Sequence, residues 1–137
     1  MKYTIDASVL VKAVVDEEHS EKALKIISEQ KAVLYAPNIL FSEVGSVLYK
    51  MSRRGIIERS YAIKAYENLV KLPIEIQAED LSLFPSVLDM SLKLGLHFYD
   101  CLYIQTARKT GSMLLSSDRK LLDIASKECT VKSLQDI

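Results

Sequence analysis

Five short apolar runs, KYTID, AVLYA, IEIQ, MLLSS and CTVKSL, punctuate this chain, and helical patterns fill every interval between them. That alternation is the strongest constraint on the fold. Strands separated by helices cannot close as hairpins, so they run parallel and each is followed by a crossover. Strands are predicted over 2–6, 32–36, 74–77, 113–117 and 129–134, with 74–77 alternating at period two. Helices are predicted over 7–15, 20–30, 38–54, 58–72, 79–94, from near Tyr99 to Gly111, and 119–127. Ser20 suits an N-cap, Pro37 the first turn of the third helix and Gly55 its C-terminal cap. Pro85 is tolerable if a turn breaks the fifth helix, and Gly95 ends it. The expected architecture is a three-layer α/β domain with a mainly parallel sheet, one domain over 1–137.

Composition narrows the function. Apolar residues make up 49% of the chain, with only 4 Gly and 3 Pro, which excludes a disordered or linker-like polypeptide. Eighteen basic and eighteen acidic residues cancel, so the chain lacks the basic excess of a general nucleic-acid binder. An enzyme that meets phosphate through a bound cation remains compatible with neutrality. Two cysteines far apart, Cys101 and Cys129, and two histidines make a structural zinc site a poor fit. Buried free thiols are expected. No run reaches membrane-spanning length and no secretory leader is recognisable, so a cytoplasmic protein without a membrane partner is expected.

In parallel sheets of this kind, ligands bind beyond the carboxyl ends of the strands, where the strand order reverses. Asp6 ends the first strand and Asp118 follows the fourth, in LLSSDRK. If those strands are neighbours, the two carboxylates share a crevice. Each is equally readable as a helix N-cap. Glu43, in NILFSEVGSVLYKM, has Ile39, Leu40, Ser46 and Val47 as its helical neighbours and borders an apolar stripe in mid-helix. Asp100, in HFYDCLYIQTA, stands beside Tyr103 and Ile104, although an acid near a helix start is also favoured by the helix dipole. A carboxylate against a core is costly without a counter-charge. No basic residue is an obvious partner: Lys50, Arg53, Arg54, Arg108 and Lys109 all trail off helix ends. Four carboxylates without histidine suit a hard cation, Mg²⁺ or Mn²⁺, of the kind used in phosphoryl chemistry.

These motifs together, DASVLVK, PNILFSEVGSVLYK, YDCLYIQTARKTG and LLSSDRKL, resemble the PIN domain family over essentially the whole chain. The resemblance implies a central parallel sheet in order 3-2-1-4-5, which places strands one and four side by side. Single-domain members are mostly VapC-type toxins of type II toxin–antitoxin pairs, which implies an Mg²⁺- or Mn²⁺-dependent endoribonuclease, usually a homodimer, inhibited by a small antitoxin. Asp6, Glu43, Asp100 and Asp118 match the acidic quartet. Ser8 and Ser116 match positions of supporting hydroxyls. On that reading Asp6, Asp100 and Asp118 hold the metal, and Glu43 binds it or orients a water.

Arg119 and Lys120 are candidates for RNA backbone contact, although charges at a helix start are more often simply solvated; Lys12 is a weaker candidate. Tyr99 and Tyr103 can stack a base or pack in the core. Receiver and phosphatase domains also carry an Asp after strand one. They want a second acid nearby, and here Ala7 and Ser8 follow. A PIN ribonuclease of RNA processing outside a toxin pair, and a non-catalytic PIN-like binding protein, are the alternatives.

Overall fold

The computed structural model describes residues 1–137. Five strands, β1 (Lys2–Ile5), β2 (Val33–Pro37), β3 (Ile74–Gln77), β4 (Met113–Ser116) and β5 (Val131–Ser133), form one sheet. Its order is β3-β2-β1-β4-β5 and every pairing is parallel. Seven helices connect them: α1 (Ala7–Val14), α2 (Ser20–Ser28), α3 (Leu40–Arg53), α4 (Arg59–Leu69), α5 (Phe84–Leu94), α6 (Phe98–Thr110) and α7 (Arg119–Ala125). The steps β1 to β2 to β3 run one way across the sheet, and the chain then returns from β3 to β4 and on to β5. Right-handed crossovers therefore put the two sets of helices on opposite faces, which gives three layers. The order reverses between β1 and β4, the topological switch point.

Burial follows this layering. Tyr3, Thr4 and Ile5 of β1 and Leu114, Leu115 and Ser116 of β4 are all buried, because both faces of a central parallel strand are covered. The edge strand β3 buries no residue fully. Ile5, Leu114 and Leu115 join Val9 and Leu10 of α1, Val44 and Leu48 of α3 and Ile104 of α6 in one apolar cluster. Each such side chain contributes about 1.5–3 kcal/mol by leaving water. No helix is long and apolar enough to cross a membrane.

The predicted elements are all present, with informative shifts at their ends. Ser20 is not an N-cap. His19 takes that place at φ 68°, while the Ser20 hydroxyl donates to Val15 O and accepts from Glu17 N, closing the α1–α2 loop. Pro37 does not start α3. It is the last residue of β2, opposite Gln77, and Asn38 and Ile39 turn before the helix begins at Leu40. The predicted 79–94 helix divides at the Pro85 region into a 3₁₀ turn, Leu81–Leu83, capped by Asp80, and α5. Gly55, Gly95 and Gly111 follow helix ends with φ of 74°, 69° and 64°, conformations that favour glycine.

Candidate active site

Four helices start at the carboxyl edge of the sheet, and each carries one acid in its opening turn. Asp6 is the N-cap of α1, and its Oδ1 accepts from Ser8 N at 3.1 Å. Asp118 is the N-cap of α7, and its Oδ1 accepts from Leu121 N at 3.1 Å. Asp100 lies in the first turn of α6. So does Glu43 in α3, which corrects the expectation of a mid-helix acid. The correction follows from the later helix start: Glu43 N makes the first α-helical bond, to Ile39 O. The positive end of a helix therefore faces each carboxylate and offsets part of its desolvation.

Asp6 is the most confined of the four, with 8% of its surface exposed. Its backbone N bonds Leu115 O, which seats it between β1 and β4. Ser8 Oγ donates to Oδ1 at 2.5 Å and Ser116 Oγ donates to Oδ2. Ser116 Oγ also accepts from Asp118 N at 3.0 Å, and Ser8 Oγ accepts from Ser117 N at 3.1 Å. The two serines therefore bind the first and last acids into one hydrogen-bonded unit. Even so, burial pushes the Asp6 carboxyl up to about 6, against the opposing pull of these hydroxyls and backbone N–H groups.

Asp100 is half-buried, and its carboxyl is raised first by burial and then by the negative charge of Glu43, with Asp118 adding to it. His97 acts in the opposite direction. Tyr103, one turn beyond Asp100, donates its hydroxyl to Glu43 Oε1 at 2.7 Å. Burial, this hydrogen bond and the charges of Glu43, Asp6 and Asp100 push the Tyr103 phenol above the usual tyrosine range. Asp100 thus feels the charges of Glu43 and Asp118, and the Tyr103 phenol feels those of Glu43, Asp6 and Asp100.

No lysine or arginine pairs with the quartet. The ion pairs of the structure are Lys12–Glu17, His19–Glu18, Lys64–Glu67 and Arg108–Glu128, and none includes a quartet acid. The donor set of carboxylates and hydroxyls matches the needs of a hard divalent cation. No three Asp, Glu, His or Cys side chains close into a finished metal cage. The quartet shares the carboxyl edge of the sheet without forming such a group.

Other residues singled out in the sequence have plainer places. Arg119 Nε donates to Gln135 Oε1 at 2.6 Å, and Lys120 is exposed. Lys12 donates to Glu18 O as well as pairing with Glu17. Tyr99 is 57% exposed and so is not a core residue, whereas Tyr103 is 2% exposed and offers no face to a base. The tie of Tyr103 to Glu43 was not read from the sequence. The available signal was its position one helical turn from Asp100.

Comparison with known proteins identifies the family. The family model described as PIN domain matches residues 3–127. Ribonuclease VapC3 of Pyrobaculum aerophilum is 32% identical over 127 residues, covering 90% of this chain and 94% of that protein. The crystal structure of PAE2754 from Pyrobaculum aerophilum superposes with a TM-score of 0.74 at 23% identity, over 98% of this chain and 85% of that one. VapBC2 from Rickettsia felis, solved bound to a DNA fragment from its promoter, gives a TM-score of 0.67 at 13% identity, over 97% and 98%. On the family match and the extent of the VapC3 similarity, the chain belongs to the PIN domain family.

Proposed function

We propose that this chain, as a single PIN domain over 1–137, is a metal-dependent endoribonuclease and the toxin of a type II toxin–antitoxin pair. One observation carries the chemistry: four acids in the opening turns of helices at the switch point of a parallel sheet, the Asp100 carboxyl raised by burial and by the charges of Glu43 and Asp118, with no lysine or arginine paired to any of the four. Support for the RNA substrate comes from the likeness to ribonuclease VapC3, and for an antitoxin partner from the likeness to the VapBC2 assembly.

Asp6, Asp100 and Asp118 would hold Mg²⁺ or Mn²⁺, with Glu43 as a further ligand or as the group that aligns the attacking water. A bound divalent cation supplies Lewis-acid charge at the scissile phosphate and acidifies water. The protein's part is orientation. Ser8 and Ser116 hold both oxygens of Asp6, so its direction is set before any ligand arrives. Glu43, with one oxygen on Tyr103, keeps the other to accept a hydrogen bond from the water that attacks phosphorus in line. The four helix N-termini limit the repulsion between the acids and an incoming phosphate. A cytoplasmic homodimer meeting RNA and a small antitoxin completes the proposal.

The test is RNA cleavage by the purified protein. Cleavage is expected with Mg²⁺ or Mn²⁺ and is lost on chelation, and Asp100→Asn is expected to lower kcat by about 100-fold or more. Full activity of Asp100→Asn overturns the site. Expression of the intact protein is expected to arrest growth, and Asp6→Ala to relieve the arrest.

A further inference from the structure

We propose that Tyr103 is a positioning residue that fixes which oxygen of Glu43 faces the catalytic crevice. This rests on the reading of Glu43 as part of the nuclease site. Three observations carry it. Tyr103 is nearly fully buried in the core, and its hydroxyl donates to Glu43 Oε1 at 2.7 Å from a residue 60 positions away. That is the one hydrogen bond Glu43 makes through its side chain, since it joins no ion pair. Tyr103 also shares α6 with Asp100, one turn along, so a single rigid helix sets the place of both Asp100 and the group that holds Glu43.

A glutamate has three side-chain torsions, and a free one samples many arrangements of its two oxygens. A phenol locked in a core has almost none. Tying Oε1 to Tyr103 removes most of the glutamate's freedom and leaves Oε2 without a protein partner. The carboxylate is then presented as a one-oxygen acceptor, ordered before the cation and the RNA bind. Pre-organisation of this sort is where outer groups raise both ion affinity and turnover. Tyr103 does not touch substrate; its effect runs through Glu43 alone.

The experiment compares the intact protein with Tyr103→Phe, Glu43→Gln and the double variant. Three quantities are read: the thermal midpoint, Mn²⁺ binding to RNA-free protein by electron paramagnetic resonance, and kcat and KM on a single-stranded RNA oligonucleotide. Tyr103→Phe is expected to unfold within a few degrees of the parent. It is also expected to bind Mn²⁺ several-fold more weakly and to lose about 10- to 100-fold in kcat with KM unchanged. In the Glu43→Gln background the same substitution is expected to cost no further kcat, because the group it positions is already disabled. Equal losses in both backgrounds overturn the inference, as the role is then structural. An effect of Glu43→Gln with none of Tyr103→Phe overturns this inference and leaves the site standing. Parental Mn²⁺ binding and kcat in Glu43→Gln overturn the reading of the site itself, and this inference with it.

Discussion

The hydroxyl of Ser116 joins Asp6 and Asp118, donating to Oδ2 of the first while accepting from the backbone N–H of the second. A strand-end serine thus does two jobs at the seam of β1 and β4. It solvates a buried carboxylate, and it sets the turn that launches α7.

Ser116→Ala removes both interactions while leaving the Asp6 carboxylate buried. Loss of a hydrogen bond to a charged buried group costs about 1.5–3 kcal/mol, so urea unfolding at neutral pH is expected to show a decrease of that order. Ser116 is the largest of the hydrogen-bonding influences that lower the Asp6 carboxyl, so in the variant that carboxyl titrates higher still. A variant as stable as the parent, with Asp6 titrating unchanged, shows that the bond carries no weight.

Much of this was legible beforehand, for reasons that differ by residue. Asp6 and Asp118 could be placed because a parallel sheet converts position in a strand into position in space, and the pairing of β1 with β4 brings them together. Glu43 reads in the sequence as a mid-helix acid, and the structure moves it to a first turn. Helical spacing shows its apolar neighbours, yet Pro37 ends β2 and delays the helix, which puts Glu43 in a first turn. Boundaries of that kind depend on strand pairing, which no local pattern encodes. Tyr103 reads in the sequence as a base-stacking or core residue, and its bond to Glu43 is not legible there. Its neighbour Glu43 lies 60 residues away, and only tertiary packing brings α3 to α6.

Coupling between Asp100 and Glu43 is directly measurable. The negative charge of Glu43 is the second influence, after burial, that raises the Asp100 carboxyl. Glu43→Gln removes that charge and preserves the shape of the side chain. In the metal-free protein the carbon-13 resonance of the Asp100 carboxyl is therefore expected to titrate at lower pH in Glu43→Gln than in the parent. An unshifted titration shows that the two acids do not interact and overturns their grouping in one site.

Gly45 tests the support behind Glu43. A Cβ at Gly45 would meet Tyr66 Cε1 at 3.2 Å, and the Tyr66 hydroxyl is itself bonded to Phe41 O, so the ring is held where it stands. Alanine gains about 1 kcal/mol of helix propensity over glycine, which offsets the small displacement of the ring. A β-branched side chain has no such margin. Gly45→Val is expected to destabilise by about 1–3 kcal/mol through overpacking, and Gly45→Ala to be close to neutral, both read by denaturant unfolding. A Gly45→Val variant as stable as Gly45→Ala shows that α4 yields freely and that α3 is not braced by it.

The sharpest prediction concerns Asp6 without and with metal. Burial raises its carboxyl from 3.8 to about 6, so the ionised form is less favourable in the folded state than in the unfolded chain. In the metal-free protein the Asp6 penalty is present in full above about pH 6 and fades as the pH falls toward 3.8. Asp6→Asn cannot ionise. Relative to the parent it is expected to be about 1–2 kcal/mol more stable near pH 8, once the weaker bonds to Ser8 and Ser116 are allowed for, and to lose that advantage near pH 4. Mg²⁺ or Mn²⁺ reverses the order, because a ligand at 100 times its Kd stabilises the folded parent by about 2.7 kcal/mol and gives the asparagine variant far less. Urea unfolding of both proteins across this pH range, with chelator and then with metal, reads the crossing. If the chelated variant is the less stable of the two near pH 8, Asp6 is a satisfied structural cap, and the charge that calls for a cation lies elsewhere.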